Sequence, residues 1–254
     1  MKTPALLTAA LLLLSSPAFA ASQIDLPGPP GSGLFGTHVV VLPNGNFVVT
    51  DPGFDQISPA VANIGAVYLH NPDGLLISTL RGSNSGDFVG SAGITVLANG
   101  NFVVNNPNWN SNRGAVTWGS AVSGFIGGAS VTVSAANSIT GSTVGDLVGS
   151  NGITVLTNGN YVVRSLNWTD IPFFGAGAVT WGNGFTGTVG AISAANSLIG
   201  SADGDVVGNG GVTALSNGHY VVCSPSWDNG PAVNAGAVTW CDGATGTVGP
   251  VTAA

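Results

Sequence analysis

The chain has 254 residues and a formal net charge of −7, and only 6% of its residues are charged. Its acidic residues are all Asp and its basic ones are Lys2, Arg81, Arg113 and Arg164, too few cations to neutralise a phosphate backbone or hold an anionic lipid surface, which excludes nucleic-acid binding. Forty Gly, 14 Pro and a wealth of Val, Thr and Asn argue against long helices, and a hydrophobic content of 44% argues against disorder, so an all-β domain is expected.

At the N-terminus Lys2 precedes an apolar run, Ala5 to Leu14, and the small-x-small site Ala18-Phe19-Ala20. The run is half of what a membrane span needs. It predicts a signal peptide over residues 1–20 and export of residues 21–254, to the medium, the cell surface or the periplasm. No later stretch predicts membrane insertion. In an oxidising compartment the only two cysteines, Cys223 and Cys241, predict a single disulfide.

The remainder is a repeat. Gly-Asp-x-Val-Gly begins at Gly86, Gly145 and Gly204, each 59 residues after the last. Asn-Gly, a polar residue, an aromatic and Val-Val begin at Asn44, Asn99, Asn158 and Asn217, and an aromatic follows ten residues later: Phe54, Trp109, Trp168 and Trp227. Gly-Ala-Val begins at Gly65, Gly114, Gly177 and Gly236 and leads to Tyr68, Trp118, Trp181 and Trp240. The units are approximately 31–85, 86–144, 145–203 and 204–254.

Within the third unit, Gly152 to Leu156 and Asn160 to Arg164 flank Asn158-Gly159, a strong hairpin signal because its central residues tolerate positive φ. A loop from Asn167 to Ala176 follows, then a strand at Gly177 to Trp181 and a fourth at Gly187 to Ser193. Four short antiparallel strands per unit predict a β-propeller-type array of about four four-stranded blades. A parallel β-helix, the competing architecture, has coils about half this length and no such hairpin. Length varies between units in the loop before Gly-Ala-Val, where a repeat protein varies its binding face.

These motifs carry a resemblance. Leu34-Phe35-Gly36, Asn44 to Val49, Asp51-Pro52 and Gly65 to Leu69 resemble an FG-GAP repeat, the blade unit of integrin-alpha-type propellers. The later units, with Gly-Ala-Val-Thr-Trp, are more similar to a bacterial repeat family of unknown function found in secreted haemagglutinin-like proteins. The resemblance implies a propeller architecture over residues 31–254 and no shared catalytic residue. FG-GAP hairpins often carry an Asp-rich calcium loop. Here that place reads Pro43-Asn44-Gly45-Asn46 and Thr157-Asn158-Gly159-Asn160, without carboxylates, so no metal and no other cofactor is expected.

Among candidate sites, Asp87, Asp146 and Asp205 recur once per unit and are expected to cap turns. The pairs Asp51 with Asp55 and Asp203 with Asp205 carry no sign of the separated pKa values that acid–base catalysis needs. His38 and His70 are confined to the first unit, and His219 replaces the Asn of other units. Trp118, Trp181 and Trp240 are expected to pack between blades. Trp109, Trp168 and Trp227, set among Asn, Ser and Pro in the variable loop, are the speculative ligand-binding residues, since an exposed aromatic beside amides can stack on a sugar ring. The expected function is a secreted, non-catalytic repeat protein for adhesion, with a surface glycan or matrix protein as partner and self-association to close the propeller. The alternatives are a secreted polysaccharide-acting enzyme and an inactive piece of a larger repeat protein.

Overall fold

A computed structural model describes residues 23–253. The predicted signal peptide, residues 1–20, lies outside the described residues. Strands β1 (Val39–Val41), β2 (Phe47–Asp51), β3 (Ala66–His70) and β4 (Leu76–Arg81) form the first unit. The second holds β5 (Ile94–Val96), β6 (Phe102–Asn106), the short turn α1 (Trp109–Asn112), β7 (Ala115–Ser120), β8 (Gly124–Phe125), β9 (Ser130–Thr132) and β10 (Ser138–Thr140). The third has β11 (Ile153–Val155), β12 (Tyr161–Ser165), β13 (Ala178–Gly182), β14 (Gly190–Ala191) and β15 (Ser197–Ile199). The fourth has β16 (Gly211–Ala214), β17 (Tyr220–Ser224), β18 (Ala237–Cys241) and β19 (Gly249–Pro250).

The repeat thus builds four sheets in an all-β array, as expected. Each begins with the Asn-Gly hairpin. Its turn differs in detail from a two-residue type: Gly45 donates to the Leu42 carbonyl at 2.9 Å, and Leu42 donates to Asn46 at 2.8 Å. Only the glycine has positive φ, +88° at Gly45 and +90° at Gly159. This is a three-residue loop whose left-handed position requires Gly.

The place of the expected fourth strand needs correcting. The strand expected to complete the third unit reduces to β14, and it lies parallel to β10 in the second sheet. Likewise β9 pairs with β4 in the first sheet and β19 with β15 in the third, both parallel. The antiparallel neighbour of β13 is instead β15. In the second and third units the chain therefore leaves its own sheet, adds a short strand to the preceding sheet, and returns, while the fourth unit adds β19 in the same way as its last described strand. The sheet orders are β1-β2-β3-β4-β9, β5-β6-β7-β10-β14, β11-β12-β13-β15-β19 and β16-β17-β18. A second correction concerns Tyr68: Val48 faces Leu69 as Val103 faces Trp118, so Leu69, not Tyr68, holds the Trp position in the first unit.

Alternation along the strands sends opposite faces into successive cores. Phe102, Val104 and Ala115 pack with Val48, Val67 and Leu69 between the first and second sheets. Val103, Val116 and Trp118 meet Tyr161, Val163 and Ala178 between the second and third. Val162, Val179 and Leu198 meet Tyr220, Val222 and Cys241 between the third and fourth. Each fully buried aliphatic or aromatic side chain contributes about 1.5–3 kcal/mol, so no unit is stable without a neighbour.

The two ends differ. On the first sheet Tyr68, Phe54 and Ile64 are covered by the N-terminal segment through Phe35, whose ring lies 5.5 Å from that of Tyr68. Asp51 anchors this segment, accepting from Leu34 N at 2.7 Å and from the Ser32 hydroxyl. On the fourth sheet the outward face is open, with Val238 74% and Trp240 57% exposed.

The expected disulfide is absent: Cys223 and Cys241 are free. Cys223 pairs with Val238 across the strands, whereas Cys241 pairs with Tyr220. The cysteines are three rungs apart, roughly 10 Å at about 3.3 Å per residue, and the odd offset puts them on opposite faces of the sheet. Cα atoms farther apart than about 7 Å cannot be bridged.

Candidate functional site

The loop between the second and third strands leaves every sheet at the same end. Its tryptophans are not the exposed platforms considered from sequence. Trp109, Trp168 and Trp227 are only 8%, 2% and 6% exposed, and each joins an inter-sheet core. So little exposed ring gives none of them an open platform on which a sugar could stack. Their indole nitrogens are buried without a partner, a cost accepted for the apolar area each ring buries.

The repeated carboxylates explain the turn of the chain beside those rings. Asp146 Oδ2 accepts from the backbone N–H groups of Ser142 and Thr143, and Oδ1 accepts from Thr169 N at 3.1 Å. Asp87 binds Ser83, Asn84 and Asn110 in the same way, and Asp205 binds Ser201, Ala202 and Asp228. Each carboxylate caps a turn and holds the residue after the loop Trp. Burial pushes the Asp146 carboxyl above its ordinary range, opposed by these hydrogen bonds and by Arg113. Other loop carboxylates are similarly engaged: Asp55 accepts from Asn63 N, Asp203 from Phe174 N and Asp228 from Asn234 N, each at 2.7 Å. Among the described residues no group of three His, Cys, Asp or Glu could hold a metal ion.

The second Asn of the hairpin motif has a role that sequence reasoning missed. Gly184 O accepts from Asn99 Nδ2 at 2.6 Å, Asn101 Nδ2 at 2.9 Å and Trp118 Nε1 at 2.9 Å. Gly243 O accepts from Asn158, Asn160 and Trp181 at 2.8, 2.9 and 2.9 Å. At the first junction Asn44 and Asn46 share Ala121 O. Three donors of one unit thus clamp one carbonyl of the next, and the recurrence of that Asn one position after Asn-Gly was the available signal. His219 keeps only the bond that this Asn makes inside its own unit, since its Nδ1 accepts from Gly243 N at 3.1 Å as Asn160 Oδ1 accepts from Gly184 N. The other histidines are structural too: His70 stacks on Phe47, and His38 contacts Thr50.

With these groups committed to the fold, the exposed chemistry is on the loops. Ile57, Ile171, Phe174 and Val233 are 63%, 75%, 69% and 70% exposed. They belong to the loops of the first, third and fourth units. Beside Ile171 lies a hollow of about 380 Å³ lined by Ser142, Thr143, Trp168, Thr169, Asp170 and Ser193, so that the largely buried Trp168 still forms part of its wall. A second hollow, of about 440 Å³, is lined by Asp55, Gln56 and Ile57. Hydroxyl, amide and carboxylate groups next to protruding apolar tips can hold a ligand by hydrogen bonds and contact.

A solved structure of a protein of unknown function from Bacteroides caccae is similar, with 16% identity over 78% of this chain and a TM-score of 0.33. The chain spans 58% of the length of that protein. No curated protein matches. The profile of a repeat of unknown function, DUF5650, matches residues 41–93, 96–150, 155–209 and 214–254. These four matches correspond to the four sheet-building units, and the chain belongs to the DUF5650 repeat family.

Proposed function

We propose that the chain is an exported, non-catalytic binding protein whose loop face adheres to a surface glycan or matrix protein. One observation carries this reading. The polar side chains that recur in every unit hold turns and junctions, whereas four of the exposed large apolar residues, Ile57, Ile171, Phe174 and Val233, stand on the loop before the third strand, which differs in length between units. Loops carried at one end of a rigid repeat scaffold are the usual place for recognition. The contact residues on this reading are Ile171, Phe174, Thr169 and Asp170, beside Trp168 in the wall of the same hollow. The likeness of the first unit to FG-GAP blades of adhesion receptors agrees with it.

The test is a panel of immobilised glycans and matrix proteins probed with residues 21–254. Binding without turnover, weakened at least tenfold by the double substitution Ile171→Asp and Phe174→Asp, is the expected result. Release of soluble fragments from a polysaccharide would identify an enzyme instead. Binding unchanged by the double substitution would remove the loop face from the proposal.

A further inference from the structure

Tyr68 and His70 stand where the second and third units carry Thr and Gly. Val49 faces Tyr68 across the strands as Val104 faces Thr117 and Val163 faces Thr180, and Phe47 faces His70 as Phe102 faces Gly119 and Tyr161 faces Gly182. Residues 68 and 70 alternate along β3, so both side chains leave the outward face of the first sheet, beneath the segment that Asp51 anchors. Thr117 and Thr180 spend their hydroxyls on Ser138 and Ser197, at 2.8 and 2.7 Å. Tyr68 Oη finds no such partner among the described residues, and neither does His70 Nε2, although the two residues are only 3% and 8% exposed.

Both side chains line one hollow of about 150 Å³, a size that admits a single benzene-type ring. Its other walls are apolar, with Leu26, Phe35 and Leu76 among them. The walls are fixed from several sides: Leu26 lies against Gly74, and the Phe35 ring lies against that of Tyr68. The His70 ring stacks on Phe47 with centroids 5.3 Å apart, and its Nδ1 donates to the Gly74 carbonyl at 3.0 Å. Because a carbonyl only accepts, Nδ1 carries the proton and Nε2 of the neutral ring is an acceptor. Burial, reinforced by Asp51 and opposed by Arg81, pushes the Tyr68 hydroxyl up to about 12, so it stays an O–H group able to donate and accept. The two rings have centroids 6.4 Å apart, a separation that one bridging hydroxyl can span.

We propose that this hollow binds a small monocyclic phenol, its ring among Leu26, Phe35 and Leu76 and its hydroxyl donating to His70 Nε2 and accepting from Tyr68 Oη. The walls select for that chemistry. A plain hydrocarbon leaves both buried polar atoms unpaired, whereas a sugar brings more hydroxyls than two partners can satisfy, and each unmet group costs binding. The occupant therefore differs from the glycan or matrix protein of the loop face, and the site stands apart from that face.

Phenol is titrated into residues 21–254 and its binding followed by ligand-observed NMR. Saturable binding, tighter than that of toluene or glucose, is the expected result. Tyr68→Phe and His70→Phe should each weaken phenol roughly fivefold while leaving toluene no weaker, a split that general damage to the fold would not produce. Tyr68→Phe should also keep the wild-type melting temperature, since its hydroxyl has no protein partner to lose. Leu76→Trp, placed at a position 55% exposed, should fill the hollow and abolish binding. The double substitution Ile171→Asp and Phe174→Asp should leave phenol binding intact, which separates this site from the loop face. Absence of saturable phenol binding overturns the proposal, as does phenol bound no tighter than toluene or indifferent to both polar substitutions. N-acetyltyrosinamide bound more tightly than phenol also overturns it, because the hollow then belongs to a tyrosine side chain of a partner protein.

Discussion

Asp146 accepts a hydrogen bond from the backbone N–H of Thr169, 23 residues further along the chain, while its other oxygen holds the turn at Ser142 and Thr143. One side chain thereby fixes both ends of the segment that carries Trp168 into the core. Asp146→Ala leaves these N–H groups without their acceptor and should cost about 1–3 kcal/mol. Asp73, exposed on the first-unit turn and without such ties, should cost less than about 0.5 kcal/mol when replaced by Ala. Urea unfolding midpoints distinguish the two. Equal shifts would mean that the buried carboxylate does not hold the turn.

Burial raises the Asp146 carboxyl, so its folded pKa lies above the unfolded value near about 3.9. The folded state then binds the proton more tightly than the unfolded chain. Its contribution is full below the unfolded pKa and is lost as pH rises through the folded pKa. The advantage of wild type over Asp146→Ala should therefore shrink as pH rises from 4 through that range. A growing advantage in the same window would contradict the direction.

Trp168 and Trp240 are the same residue type in opposite situations, 2% and 57% exposed. Trp168→Ala should destabilise by about 3–5 kcal/mol through the cavity it leaves. Trp240→Ala should change stability by less than about 0.5 kcal/mol. Chemical denaturation followed by Tyr and remaining Trp fluorescence measures both, and a large loss from Trp240→Ala would show that its face is already covered.

The two thiols should differ in reactivity. Cys241 is buried in the third inter-sheet core, and burial pushes its pKa up, leaving less thiolate at pH 8. Cys223 is half-buried and lines a hollow on the open face of the fourth sheet. With iodoacetamide and mass spectrometry, Cys223 should be labelled first and Cys241 only on unfolding. A Cys223–Cys241 disulfide peptide, or equal labelling rates, would contradict the strand register.

Gly177 has φ +73°, and a Cβ there would lie 2.4 Å from Val207 N. Gly177→Ala should accordingly lower the melting temperature by several degrees, since both the backbone conformation and the approach of the next unit demand Gly. Calorimetry provides the test, with an unchanged transition as the contrary result.

The periodic features were legible in the sequence. The 59-residue spacing, the Asn-Gly turns and the Val-Val strands led directly to four sheets, because hairpins are local and repeat their signals. The two-residue strand Gly190–Ala191 was not legible as part of the preceding sheet, since its partner lies 51 residues earlier and its pairing leaves no periodicity. The loop tryptophans misled for a chemical reason. Their polar neighbours looked like a ligand shell, but Asp146, Asp87 and Asp205 spend those polar groups on backbone N–H donors while the rings turn inward. Face parity along Tyr220 to Cys223 would have separated the two cysteines. The protruding Ile171 and Phe174, apolar within a polar loop, were the overlooked sign of the exposed tips.

Because the second and third units each give a short strand to the sheet before them and receive one from the unit after, and clamp a carbonyl of their successor with the same three donors, their boundaries are built alike. A gene duplication or deletion that joins one point of a unit to the same point of another restores the same donor and acceptor edges, wherever the cut falls. Array length can then change by recombination without any new interface having to be invented, and a lineage can lengthen or shorten the molecule while each surviving junction keeps its carbonyl clamp.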